Sequence, residues 1–273
     1  MPYNKFYIGS ELVNDIIQPG IVKEGILYNI DVNLNTISTS SLTASYPGIE
    51  IPAEPTQSWG SFAFDNVEFS NGSRAYYYTS SIEIPTTFVL NSASMYRADS
   101  DQFEFTWTFW INPDELGYNG ACSDLIVVGP QALSNYIFVT RPSGAADYGF
   151  GIEGESGQHV LLISGSEIPT GSWSSLTTTM RHPDGLNTPY YFDTYLNGEP
   201  KHSITASGWD VTDLAVDYKA YQLGSRKGGL TDPTVARYNG YIGQILMYTG
   251  SLSDDQVRMN YNATRFKWDN ATI

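Results

Sequence analysis

Hydrophobic and polar positions in this chain repeat mostly with a period of two. Phe103, Phe105, Trp107, Phe109 and Ile111 fall on one face of a run, and Glu104, Thr106 and Thr108 on the other. Strict alternation predicts an antiparallel strand with one buried and one polar face. The stretch from Ser61 to Val67 alternates in the same way. Further strand-like runs are Gly25 to Val32, Ala75 to Ile84, Leu125 to Val128, Asn135 to Thr140, Val160 to Ile163, Ser174 to Met180, Tyr190 to Leu196, Tyr218 to Leu223 and Tyr241 to Tyr248. Their separators carry turn chemistry: Pro142-Ser143-Gly144, Pro183-Asp184-Gly185, Asn197-Gly198 and Lys227-Gly228-Gly229. Asn197-Gly198 lies between Tyr191 to Leu196 and Lys201 to Ile204. It is the pair a type I′ hairpin turn needs, because both central residues take positive φ. About a dozen such strands predict an all-β fold, a two-sheet antiparallel β-sandwich.

One segment alone reads as a helix. Ser253 with Gln256 three residues on forms a capping box, and Asp254 and Asp255 then occupy the first turn, where the helix dipole favours negative charge. Val257 and Tyr261, four apart, would seat one face on the sandwich, and the short helix would end near Thr264. Asn35 to Ser58 lacks periodicity and reads as a long loop. Met1 to Val22 precedes the sandwich as an arm, and Lys5 to Val13 within it reads as strand, Gly9-Ser10 turn, strand. Two strands are marginal alone, so the arm must dock on something. The expected organisation is an arm over 1–22, for anchoring or oligomerisation, and a sandwich over 23–273.

Composition narrows the function. The 273 residues carry 14 Lys+Arg against 29 Asp+Glu, a net charge of −15. Such a surface repels phosphate, so no nucleic-acid partner is expected. No apolar run reaches the length of a membrane span, so no membrane insertion is expected. The start Met1-Pro2-Tyr3-Asn4-Lys5-Phe6 has no secretory pattern, which predicts synthesis in the cytoplasm. The single Cys122 excludes an intrachain disulfide framework and a Cys-based metal centre, and without a basic neighbour in sequence it reads as inert.

Candidate chemistry is sparse. Gly149-Phe150-Gly151-Ile152-Glu153-Gly154 fits a dinucleotide fingerprint by letters. The residues that follow read as turn and strand, and not as the helix that would take a pyrophosphate. No nucleophile elbow occurs, and His159, His182 and His202 read as structural. Glycosidases need two carboxylates on one face, and no Glu-x-Asp-x-Glu run supplies them, so no catalytic residue is assigned and the chain is read as no enzyme. Calcium is left open, since Asp99, Asp101, Asp210, Asp213 and Asp217 offer hard oxygen ligands without an EF-hand loop; no other cofactor is expected. Three N-x-S/T sequons, at Asn71, Asn262 and Asn270, read as chance. Aromatics are the richest signal: Tyr appears 20 times. Tyr76, Tyr78 and Tyr190 are the candidate glycan or partner contacts, because strand runs such as Tyr76-Tyr77-Tyr78 put one ring in the core and leave others to stack on sugar.

Certain runs resemble a known family. Phe105 to Pro113, Gly171 to Leu176 and Phe192 to Gly198 resemble strands of laminin-G-like, concanavalin A-like lectin/glucanase sandwiches. The block Tyr238 to Tyr248 with Leu252 to Val257 and Asn260 to Thr264 is similar to the closing strand and helix of such domains in bacteriophage virion proteins. The likeness runs from about Gly25 to Lys267. It implies a concanavalin A-like jelly roll that binds glycans or proteins, with calcium at the rim in some members. The glucanase carboxylates find no counterpart. The expected function is therefore a non-enzymatic phage structural protein, a capsid decoration, head-fibre or tail-associated component located on the virion. It would contact other virion proteins and host or environmental glycans, and would form a homo-oligomer. Phe6, Tyr7, Ile8, Leu12 and Val13 are the candidate anchoring residues. A soluble lectin module is the alternative reading, and an atypical glycan hydrolase the second.

Overall fold

The computed structural model describes residues 7–8, 11–12, 20–22, 26–31, 65–78, 86–88, 96–97, 102–114, 123–128, 135–140, 149–153, 159–182, 189–207, 221–223, 240–248, 250–269 and 271. The strands are β1 (Tyr7–Ile8), β2 (Glu11–Leu12), β3 (Ile26–Asp31), β4 (Asp65–Glu68), β5 (Arg74–Tyr78), β6 (Thr86–Phe88), β7 (Tyr96–Arg97), β8 (Gln102–Pro113) and β9 (Ser123–Val128). They continue with β10 (Asn135–Thr140), β11 (Gly149–Glu153), β12 (His159–Ser164), β13 (Ser174–His182), β14 (Tyr190–Leu196), β15 (Glu199–Ala206), β16 (Tyr221–Leu223) and β17 (Gly240–Tyr248). The helix α1 spans Asp254–Thr264 and runs into a 3₁₀ turn, Arg265–Lys267.

Two antiparallel sheets carry the fold. The larger runs β15-β14-β13-β8-β17-β5-β4, with β3 also on β17 and β7 on β8. The smaller runs β12-β11-β10-β9-β16-β6. Each sheet is closed at its centre by strands distant in sequence, β8 with β17 and β9 with β16. The sheets meet where β12 packs on β14 and β15, and Thr194 Oγ1 lies 3.3 Å from the Leu162 carbonyl. The two-sheet sandwich with one short C-terminal helix is thus the architecture that the period-two pattern predicts. Near the N-terminus β1 pairs antiparallel with β2, Tyr7 opposite Leu12 and Ile8 opposite Glu11, while the expected Gly9-Ser10 turn lies outside the described residues.

Register fixes which residues share a face. Phe105, Phe109 and Ile111 stand opposite Met180, Leu176 and Ser174, and β14 continues these rows with Phe192 and Leu196. This inner face looks at the second sheet and holds Phe105, Trp107, Phe109, Leu176, Met180 and Phe192, each at most 2% exposed.

The other face of β8 departs from expectation. Thr106, Thr108 and Trp110 are buried as well, so the strand is covered on both sides. The cover is α1 and the turn after it. Trp110 stacks on Tyr261 at 5.6 Å and donates its indole N–H to Thr264 Oγ1 at 2.9 Å. Leu252 N donates to Thr106 Oγ1 at 2.9 Å. Alternation alone marks Thr106 and Thr108 as solvent-facing because it cannot see an element some 150 positions away lying down on them.

A second core results. Ile21, Val22, Tyr195, Leu246, Tyr248, Leu252 and Val257 pack between the sheet and α1. Phe69, Trp110, Tyr241 and Trp268 pack beside them, with Trp173 and Tyr261 at the margin. Gly243 belongs here for packing reasons, since a Cβ would collide with the Trp268 ring. Gly20–Val22, at the end of the arm, is fastened into this core. Val22 N donates to Asn260 Oδ1 at 2.8 Å, Asn260 Nδ2 donates to the Tyr248 hydroxyl at 2.9 Å, and that hydroxyl donates to the Val22 carbonyl at 3.2 Å.

Candidate functional site

The helix covers only part of the outer face. At the other end of β13, β14 and β15 that face is partly open: Arg181, Tyr191, Ser203 and Thr205 are exposed and Asp193 half-buried, while Thr106 and Thr179 stay buried. Two rows cross it. One runs Glu104, Arg181, Tyr191 and Thr205, and the next runs Thr106, Thr179, Asp193 and Ser203. Strand spacing of about 4.8 Å and an alternate-residue repeat of about 6.8 Å make the exposed part a platform roughly 10 by 7 Å, the footprint of one or two pyranose rings.

Hydrogen bonding organises the platform. Arg181 Nη2 donates to Asp193 Oδ2 at 2.9 Å, and Ser203 Oγ donates to Asp193 Oδ1 at 2.7 Å. Both charged side chains stay accessible, Arg181 at 50% and Asp193 at 26%. Tyr191 is 38% exposed, opposite Arg181. An aromatic face beside a donor-rich guanidinium, a carboxylate and hydroxyls is the mixed surface that a sugar presents groups to: C–H faces for the ring, hydroxyls for the rest.

The bounds of the platform are structural. On one side Tyr195, two residues beyond Asp193, donates its hydroxyl to Asp254 Oδ1 at 2.7 Å. Burial, and then this bond to a carboxylate, push the Tyr195 phenol well above its ordinary range. Arg258 of α1 reaches Glu199 at 3.5 Å. At the sandwich edge His202 Nε2 lies 3.1 Å from Glu167 Oε2, and Lys201 is 3.8 Å from Glu167. The His202 hydrogen bond holds the Glu167 carboxyl below its ordinary value. Asn197 and Gly198 turn β14 into β15 with φ of 54° and 77°, the positive values expected of the type I′ pair. A Cβ on Gly198 would also press into the Tyr261 side chain, 2.8 Å from its Cβ and 2.9 Å from its ring.

The predicted contacts are not gathered in one place. Tyr190 is on the inner row, 5% exposed, stacked on His182 at 4.2 Å. Tyr76 and Tyr78 are on β5, in register with Ile242 and Gly240, their side chains outside the described residues. Three strands, β13, β8 and β17, separate β14 from β5, about 19 Å at ordinary strand spacing. Tyr191, the open member of the Tyr190-Tyr191 pair, had a readable signal: it shares its parity with Asp193, and a carboxylate marks the solvent face. Of the anchoring candidates, Tyr7, Ile8 and Leu12 lie on the paired strands β1 and β2, while Phe6 and Val13 fall outside the described residues. So do Asp99, Asp101, Asp210, Asp213, Asp217 and Cys122. Among the described residues no group of three acidic, His or Cys side chains is placed to hold a metal ion. No helix among them is long and apolar enough to cross a membrane.

Other motifs resolve into structure. Gly149–Glu153 is β11, paired on both edges with β10 and β12, which is incompatible with a phosphate-binding turn there. Two of the sequons are used by the fold. Asn71 donates to the Lys267 carbonyl at 2.9 Å and accepts from Ser73 N at 3.0 Å, and the Thr264 hydroxyl is the Trp110 partner.

Stacked antiparallel sheets and central pairing of distant strands make a lectin/glucanase-like β-sandwich. The family described as the concanavalin A-like lectin/glucanases superfamily, in its laminin-G form, matches residues 79–258, and the chain belongs to it. Among solved structures, domain 4 of the extracellular arabinanase AbnA from Geobacillus stearothermophilus, in complex with arabinotriose, superposes with a TM-score of 0.52 at 15% identity, over 85% of this chain and 96% of that one. The receptor-binding domain of botulinum neurotoxin C/D mosaic serotype gives 0.47 at 17% identity, over 68% and 43%. The CBM40 of the Ruminococcus gnavus IT-sialidase, bound to α2,3-sialyllactose, gives 0.43 at 16% identity, over 67% and 95%. Only the first of these three exceeds 0.5, and at such identity it speaks to the fold. No curated protein matches the chain.

Proposed function

We propose that this chain is a non-enzymatic glycan-binding sandwich displayed on a bacteriophage virion, as a capsid decoration, head-fibre or tail-associated protein. The observation that carries the glycan half is the open platform, where Tyr191 stands beside Arg181, Asp193, Ser203 and Thr205. An arabinotriose-bound domain of the same fold makes a sugar a fitting ligand for such a sandwich. The virion half rests on the resemblance of Tyr238 to Thr264 to phage structural domains. Calcium at a rim loop and assembly into a homo-oligomer are part of the same proposal.

A glycan array is the direct test. The purified chain should retain at least one glycan, and Tyr191→Ala should weaken that binding about tenfold or more, as loss of a central aromatic contact does. A chain that retains none, or a Tyr191→Ala variant that binds undiminished, overturns the platform. Mass spectrometry of purified particles tests the display: the protein should co-purify in fixed stoichiometry. Release of reducing ends from a bound polysaccharide would overturn the non-enzymatic reading.

A further inference from the structure

The platform carries an uneven charge. One guanidinium, Arg181, is bonded to the Asp193 carboxylate at 2.9 Å, and a second acidic residue, Glu104, is its register partner on β8. Lys201 on the neighbouring strand turns to Glu167 and adds nothing here. The surroundings deepen the bias, since the whole chain carries −15.

Consider what a sugar meets. Arg181 already spends one N–H on Asp193, but a guanidinium has five. Asp193 already accepts from Arg181 and Ser203, and its remaining lone pairs can accept from a hydroxyl. Donor and acceptor therefore stand side by side. A pair of adjacent hydroxyls matches this: one accepts from Arg181, the other donates to Asp193, while the ring lies on Tyr191. A carboxylate-bearing sugar matches poorly. To use Arg181 it must approach the Asp193 carboxylate bonded to it, with Glu104 on the adjacent strand, and like charges about 4 Å apart repel by about 1 kcal/mol even in water.

We infer that the platform selects neutral glycans with vicinal hydroxyls and discriminates against sialylated and uronate sugars. This deepens the glycan-binding reading above and rests on it. It runs opposite to the ligand that the sialyllactose-bound sandwich holds.

The test compares neutral oligosaccharides with their sialylated and uronate counterparts on one array, then lactose with 3′-sialyllactose in solution by ligand-observed NMR. The neutral member of each pair should bind on the order of fivefold more tightly or better, as one such repulsion implies. The double variant Asp193→Asn with Glu104→Gln, checked for an unchanged melting midpoint, should shift preference toward the acidic member by a similar factor. Equal or tighter binding of the acidic sugars, lost in Tyr191→Ala, overturns the inference and leaves the platform standing. An unchanged preference in the double variant overturns it too. Failure of the wild-type chain to bind any sugar on the array overturns both.

Discussion

Tyr195 shows how much one side chain on this sheet is asked to do. It shares the outer face with Tyr191, yet it is 2% exposed, in one buried cluster with Ile21, Leu246 and Val257, with its hydroxyl on Asp254. Burial and then the Asp254 bond raise its pKa, so the folded chain keeps the phenolic proton where the unfolded chain would release it. The stability this contributes is fully present below pH 10, the ordinary value of the phenol, and is lost as pH rises from there through the folded value. Urea midpoints of the wild type and Tyr195→Phe between pH 8 and 11 should therefore converge as pH rises. A gap that stays constant across that range would show that the phenol titrates alike in both states. Tyr191, four positions earlier in the same strand, has neither the burial nor the partner, and is left to the solvent.

At the scale of the element, α1 was fully legible. Its capping box forms as the spacing predicts, with Ser253 N donating to Gln256 Oε1 at 2.9 Å, and its last residue is Thr264. The β14–β15 turn was legible for the same reason, because Asn197-Gly198 tolerates the positive φ that a type I′ turn requires at both positions. Local chemistry decided both. Two short strands, Thr86–Phe88 and Tyr96–Arg97, gave no periodic signal over two or three residues, and β11 was hidden by a glycine pattern that invites another explanation. The role of Asn260 was not legible at all. It reads as a polar helix position, yet it is 2% exposed and joins Val22 to Tyr248. Only the tertiary fold brings those partners, 238 and 12 positions away, to one amide. Asn260→Ala should cost about 2–4 kcal/mol, because it strips the buried Val22 N–H of its acceptor and opens a small void. Chemical denaturation measures this directly, and a loss below about 1 kcal/mol would mean that water replaces the amide.

For the whole molecule, the last two residues of the expected arm lie in a core of the sandwich. Ile21 and Val22 are 3% and 6% exposed, inside the core between the large sheet and α1. Residue 20 is already close to the helix, for a Cβ on Gly20 would lie 3.2 Å from that of Ala263. Two removals that differ by three residues should thus behave differently. Deleting residues 1–19 leaves the plug and its bonds to Asn260 and Tyr248 in place, and the melting midpoint should stay near that of the full chain. Deleting residues 1–22 takes away two buried aliphatic side chains, each worth roughly 1.5–3 kcal/mol, and orphans the Asn260 carboxamide as well. Calorimetry on the pair separates anchoring from folding. If particle incorporation is lost in the shorter deletion while its melting midpoint is unchanged, the arm attaches the protein without holding the sandwich together. Should both deletions melt alike, Ile21 and Val22 contribute nothing to the sandwich core, and the physical boundary of the domain returns to residue 23.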